Sequence, residues 1–139
     1  MSTDYNKKRY LQLLEQRSIG DNSNSDELLR YGCMLTDQLD WEIRDQYLSL
    51  MEKVLNGKMS MHGFFAELTI KNYAIIDAVD FLEKHRILLS VDKKASKFAE
   101  FLEDILDELQ LDEISYTEDE FKNLIQEKVI KIKKYLNEE

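Results

Sequence analysis

Hydrophobic residues recur along this chain at spacings of three and four, the period of one face of an α-helix. The clearest stretch runs through Trp41, Ile43, Tyr47, Leu50, Met51 and Val54. No segment keeps the alternation of apolar and polar residues that a half-buried strand requires. The pattern therefore predicts an all-α fold, a compact antiparallel bundle of five to six helices with an N-terminal helical arm.

Capping signals mark several helix ends. Ser25 and Ser60 are predicted N-caps, and Thr117 with Glu120 three residues later is a predicted capping box. Gly57 should end a helix, because glycine adopts the left-handed C-cap conformation without steric cost. We expect helical segments over residues 4–17, from 25, from 41 to 55, from 60, over 72–89, over 95–110 and over 118–136. Whether the segment from 25 continues into the one at 41 is left open.

A polar, turn-rich run, SIGDNSNS at residues 18–25, is the longest break in this pattern. It predicts an N-terminal arm, residues 1–24, joined by a polar linker to a helical bundle domain, residues 25–139. A chain of 139 residues is long enough for one domain with its own core.

Composition supports the helical prediction and limits the partners. There is no proline, the strongest helix breaker, and there are only four glycines. A formal net charge of −9 argues against direct binding to nucleic acid or an anionic membrane, which need lysine and arginine. A basic protein partner is the natural complement. A single cysteine and the lack of a long apolar segment predict a cytoplasmic protein, or a stromal one if it is plastid-encoded.

Residues with catalytic potential are few. The two histidines, His62 and His85, lie in no metal-binding spacing, and no Gly-rich phosphate loop occurs. Cys33 has no neighbouring base and is expected to be a small buried residue rather than a nucleophile. Trp41 is expected to anchor the core. The sequence thus predicts a protein that is not an enzyme and needs no metal or cofactor.

The most unusual feature of the sequence is an acidic segment near its C-terminal end. Residues 98–120 contain ten carboxylates and no lysine or arginine. On a helix over 95–110, five of these carboxylates form one stripe, and like charges four residues apart weaken the helix slightly. More acidic residues follow in the loop, together with Tyr116, an aromatic residue flanked by charge of the kind that often anchors a partner. The predicted partner-binding residues are Glu100, Glu103, Asp104, Asp107, Glu108, Asp112, Glu113, Tyr116 and Asp119.

Two other interpretations of the stripe remain open. It could be a solvated face that only keeps the protein soluble. It could also be neutralised by lysines of the last helix, at positions 122, 128, 131, 133 and 134. An antiparallel hairpin of the last two helices would then satisfy Glu100 and Glu103 and leave the carboxylates from Asp107 to Asp119 unpaired.

Two segments carry a resemblance: RDQYLSLMEKVLNGKMSMHGFFAEL at residues 44–68, and EDEFKNLIQEKVIKIKKYL at residues 118–136. With the acidic helix between them, they resemble the bacterial self-protective colicin-like immunity family around the colicin D immunity protein, and similar small helical proteins of cyanobacteria and algal plastids. Residues 1–43 extend beyond this resemblance.

The resemblance implies a helical protein that fills the cationic active site of a tRNA-cleaving toxin domain with carboxylates. The region of this chain that corresponds is the acidic helix and loop from Glu100 to Asp119. The expected function is therefore a non-catalytic, immunity-like binding module for a basic protein such as a nuclease toxin domain. The alternative is a structural or adaptor subunit of a larger protein assembly.

Overall fold

The computed structural model describes residues 5–111 and 116–138, and within these ranges it contains helices and no strands. The predicted all-α fold is confirmed. The helices of the described ranges are α1 (Lys7–Ser18), α2 (Ser25–Glu42), α3 (Arg44–Leu55), α4 (Met61–Lys84), α5 (Ala95–Leu111) and α6 (Glu118–Leu136).

Most of the predicted helix ends are formed by the expected contacts. The capping box before α6 is complete, with the Glu120 amide 3.1 Å from Thr117 Oγ1 and the Thr117 amide 3.2 Å from the Glu120 carboxylate. Ser60 Oγ accepts a hydrogen bond from the Gly63 amide at the start of α4. Gly57 has a positive φ of 73° after α3, as its C-cap role requires. These ends could be predicted because each depends on neighbouring residues.

Other boundaries differ from the prediction. The cap of α2 is Asn24 rather than Ser25; its side-chain amide donates a hydrogen bond to Gln16, and its side chain accepts none from the first turn of α2. Helices α2 and α3 are separate, with the break at Ile43. The segments expected from 60 and over 72–89 merge into one helix, α4, because no residue between them interrupts the backbone hydrogen bonds. The predicted end at 89 is wrong: α4 ends at Lys84, and Arg86 has a positive φ of 58°, which is incompatible with a continued helix.

The larger hydrophobic cluster joins α3, α5, α6 and the first half of α4. Phe98 is fully buried in it, and its ring lies 5.8 Å from Trp41 and 6.1 Å from Tyr47. A second aromatic pair, Phe64 and Phe121, lies 5.5 Å apart between α4 and α6. Trp41 is therefore a core residue, as expected.

A smaller cluster joins α1, α2 and the second half of α4. Tyr10 of α1 is fully buried and stacks on Tyr31 of α2 at 5.3 Å. The arm predicted at residues 1–24 thus contains a helix that packs on the rest of the chain, while the division at residue 24 stays a prediction. Helix α4 contributes Phe64 to the larger cluster and Val79 to the smaller one.

Helices α5 and α6 run antiparallel, which positions the surface described next. The start of α5 lies near the end of α6, where Lys94 contacts the Tyr135 carbonyl at 3.1 Å. Helix α1 is held against the start of α2 by the ion pair of Arg9 with Glu27 at 2.7 Å and by the contact of Gln16 with Asn24.

Candidate functional site

The acidic stripe of α5 is on the protein surface. Glu100, Glu103, Asp104 and Asp107 are exposed, and Glu108 is half-buried. The buried residues of α5 lie on its other side, against α2 and α6. The amphipathic pattern of α5 therefore places the carboxylates as predicted, with their oxygens open to solvent.

The two ends of the stripe are neutralised within the protein. Lys97 Nζ lies 3.3 Å from a Glu100 oxygen, and Lys128 Nζ of α6 lies 3.3 Å from a Glu108 oxygen. Lys128 is only 6% exposed, so its ion pair with Glu108 belongs as much to the α5–α6 contact as to the surface.

The middle of the stripe is different. Glu103, Asp104 and Asp107 form no ion pair with any residue that the structure describes. The interpretation in which lysines of the last helix satisfy Glu100 and Glu103 is therefore wrong, and Glu108, which it left unpaired, is the residue of the stripe that a lysine of α6 reaches. Lys131 and Lys133 pair instead with Glu127 and with Glu52 of α3.

Helix α2 adds two carboxylates to this middle region. Asp37 and Asp40 line a pocket of about 130 Å³ between α2, α4 and α5, together with Glu103 of α5 and the Tyr47 side chain. The Tyr47 hydroxyl donates a hydrogen bond of 2.5 Å to Asp40 Oδ1. We call Asp37, Asp40, Glu103, Asp104 and Asp107 the acidic surface.

The surroundings of Asp37 and Asp40 oppose the ionisation of both side chains. Burial raises the pKa of Asp37 to about 7, and the negative charges of Asp40, Glu103 and Glu100 add to the effect. Burial and Glu103 also raise the pKa of Asp40, although the hydrogen bond from Tyr47 acts in the opposite direction. Carboxyl groups are therefore concentrated here, and among the described residues none of them has a cationic partner, which suits the site to donors such as lysine and arginine.

The contribution of Asp37 and Asp40 to this site was not predicted from the sequence, because both residues lie more than sixty positions from Glu103 in the chain. A local signal was present: on a helix, Asp37 and Asp40 flank the buried positions Leu35, Gln38 and Trp41. That signal marks two acidic residues at the edge of a buried helix face, but it does not indicate which helix packs against them.

Asp37 should make the stability of the protein depend on pH. In the unfolded chain its pKa is near 3.8, whereas in the folded protein it is about 7. The folded state thus holds a proton that the unfolded state has lost, so stability should fall as pH rises from about 4 to about 7. We expect Asp37→Asn to remove roughly 1–3 kcal/mol of this fall, since one pKa unit corresponds to about 1.4 kcal/mol and partial solvent access weakens the effect.

Urea unfolding of both proteins across this pH range measures the difference. Asp77→Asn, at an exposed position of α4, is the matched control and should leave the pH profile unchanged. Parallel profiles for the wild type and Asp37→Asn would contradict the assignment.

Four predicted site residues remain: Asp112, Glu113, Tyr116 and Asp119. Asp112 and Glu113 lie outside the described residues. Tyr116 is half-buried and packs against the larger hydrophobic cluster. Asp119 is exposed in the first turn of α6, where the positive end of the helix dipole favours an acidic side chain. Whether these residues contact a partner stays a prediction.

Cys33 is exposed, which corrects the expectation that it is buried. The buried side of α2 passes through Leu28, Tyr31 and Leu35, and position 33 is turned away from it. Partial burial and the nearby charges of Asp37 and Glu103 raise the pKa of the thiol. At neutral pH the group is therefore mainly the less reactive thiol form.

Two further features of the described residues bear on the site. No group of three or more His, Cys, Asp or Glu side chains there is placed to hold a metal ion. None of the described helices combines the length and the apolar character needed to cross a bilayer. That the protein works without a metal or cofactor, and that it is not an enzyme, stay predictions.

The chain matches no protein-family model, no curated protein and no solved structure. The resemblance to the colicin-like immunity family therefore stays a prediction, carried by the residues that suggested it.

Proposed function

We propose that this chain is a non-catalytic protein-binding module that presents the acidic surface to a basic protein partner. The observation that carries the proposal is the contrast along α5. Glu100 and Glu108 have lysine partners, whereas Glu103, Asp104 and Asp107 between them have none among the described residues.

Repulsion among these carboxylates also supports the proposal. Carboxylates four residues apart on a helix repel by a few tenths of a kcal/mol per pair, and Asp37 is held near carboxylates that oppose its ionisation. One lysine on α2 could relieve this repulsion. A surface that instead concentrates one sign of charge attracts an oppositely charged partner and speeds its association.

A nuclease toxin domain is the partner class that the proposal favours, in a role like that of an immunity protein. An enzyme that cleaves RNA holds a polyanion and therefore needs lysine and arginine around its active site. Carboxylates fixed on two helices can occupy such a site with little loss of conformational freedom.

Capture experiments test this proposal. The tagged protein should retain a basic protein from its native lysate at low salt and release it at high salt, because salt screens exposed charges. The variant Glu103→Gln/Asp104→Asn/Asp107→Asn should retain much less. Its control is Asp45→Asn/Glu67→Gln/Asp77→Asn, which removes the same number of carboxylates outside the acidic surface.

The alternative is a structural or adaptor subunit that binds through apolar surface. The outer face of α4 favours it, because Ile70, Tyr73 and Phe81 are all more than half exposed. Under this alternative, the captured protein stays bound at high salt, and the acidic-surface variant captures as well as the wild type. That result would contradict the electrostatic proposal.

A further inference from the structure

A groove lies between the antiparallel helices α2 and α4. It has a volume of about 390 Å³, and its lining is mainly apolar. Leu29 and Ile76 line it although they are 68% and 45% exposed, and Val79 is buried beneath them. Gly32 also lines it, close to Glu83: a Cβ at position 32 would lie 3.5 Å from a Glu83 carboxylate oxygen.

This groove continues into the acidic surface. Thr36 lines both the groove and the pocket that contains Asp37, Asp40 and Glu103. Along α2 the groove runs from Ser25 to Thr36 and the pocket from Thr36 to Asp40, so the two adjoin over a length of roughly 22 Å at about 1.5 Å per residue. We call the groove and the pocket together the α2–α4 trough.

Charge is distributed unevenly along the trough. The end formed with α5 carries Asp37, Asp40 and Glu103, and Asp80 lies on the wall further along. At the opposite end Arg17 is the one cationic residue among the described residues that line it, and Arg17 lies 3.5 Å from Glu83. Glu83 also accepts a hydrogen bond from the Tyr10 hydroxyl. The trough is therefore apolar along one part and negative at the α5 end.

We infer that the α2–α4 trough binds an amphipathic helix of the basic partner. Apolar residues of this helix, three and four apart, pack between Leu29 and Ile76, and its lysines or arginines meet the acidic surface at one end. The inference rests on the proposed function for the charge of the partner, and adds where and in which conformation the partner binds.

The charge and shape of the trough select this occupant. A second copy of the chain would bring a formal charge of −9 to a negative surface, and its most lysine-rich helix, α6, already buries its apolar face in the larger cluster. An extended peptide gains its affinity by pairing with a strand edge, and the described residues include no strand.

A synthetic peptide is the direct probe. We would use a peptide of about 15 residues, a length that as a helix matches the trough, with leucines at helical spacing, lysines toward one end and one photoreactive benzoylphenylalanine. It should bind in fluorescence anisotropy and cross-link to α2 and α4. One control peptide has the same composition in scrambled order, and another has glutamate in place of lysine; both should bind at least about tenfold more weakly.

Variants of the protein locate the binding. Leu29→Ser/Ile76→Ser should weaken binding of the peptide at least about tenfold, because it removes the apolar walls. Ile130→Ser, at a residue of α6 that is 58% exposed, should not. All three positions are exposed, so unfolding midpoints should change little, and circular dichroism checks this. The inference is overturned if Leu29→Ser/Ile76→Ser binds the peptide as tightly as the wild type does. It is also overturned if the wild type binds the scrambled peptide or the glutamate peptide as tightly as the designed one.

Capture of the native partner by the two variants distinguishes failure of this inference from failure of the proposed function. If Leu29→Ser/Ile76→Ser captures the native partner normally while the acidic-surface variant does not, the trough is not the binding site and the proposed function stands. If the acidic-surface variant also captures normally, the proposed function fails.

Discussion

Replacing Glu103, Asp104 and Asp107 with their amides is expected to slow association with the captured basic partner by at least about tenfold. The three carboxylates are exposed and unpaired within the described residues, so their charge extends into solvent and acts on an approaching partner. The dissociation rate should change less, because it depends mainly on contacts buried in the complex.

Stopped-flow mixing or surface plasmon resonance at several salt concentrations measures this effect. The difference between the wild type and the variant should shrink as salt rises, since the Debye length falls to about 8 Å at physiological ionic strength and to about 3 Å at 1 M. The control Asp45→Asn/Glu67→Gln/Asp77→Asn changes the net charge equally and should slow association much less. Equal slowing by both variants would mean that net charge, and not the acidic surface, governs encounter.

Phe98→Ala is expected to lower the free energy of unfolding by about 3–5 kcal/mol. Phe98 is fully buried, and its ring contacts Trp41 at the end of α2 and Tyr47 of α3. Removing it leaves a cavity where α5 meets both helices. Because domains of this size are stable by only about 5–15 kcal/mol, the variant should be close to unfolding.

Urea unfolding followed by circular dichroism gives this value. Phe81→Ala is the control, because Phe81 is 57% exposed on α4 and its loss should cost far less. If Phe98→Ala cost no more than Phe81→Ala, the larger cluster would not be packed as described. The same cavity should also loosen α5, and therefore the carboxylates that it carries.

The features that could be predicted from the sequence are those fixed by neighbouring residues. The start of α6 follows from Thr117 and Glu120 alone, and the end of α3 from Gly57. The break at Ile43 could not be predicted, since no glycine or proline marks it and Trp41 is held by contacts with distant α5. Tertiary packing decides such boundaries.

The candidate site follows the same rule. The exposed stripe of α5 was predictable because the positions of its carboxylates repeat with the helical period. The contribution of Asp37 and Asp40 was not, because only the packing of α2 against α5 brings them to Glu103. Lys97, the partner of Glu100, lies three residues away on the same helix and was predictable in the same way, whereas Lys128, the partner of Glu108, comes from α6 and depends on the packing of the two helices.

Helix α4 has a further consequence for any attempt to divide this protein. Its first half is covered by the larger cluster and its second half by the smaller one, through Phe64 and Val79. A cut inside α4 would separate each half of the helix from the cluster that buries it, and both fragments would expose apolar residues to water. Nicks, fusions and circular permutations should therefore succeed only in the connecting loops.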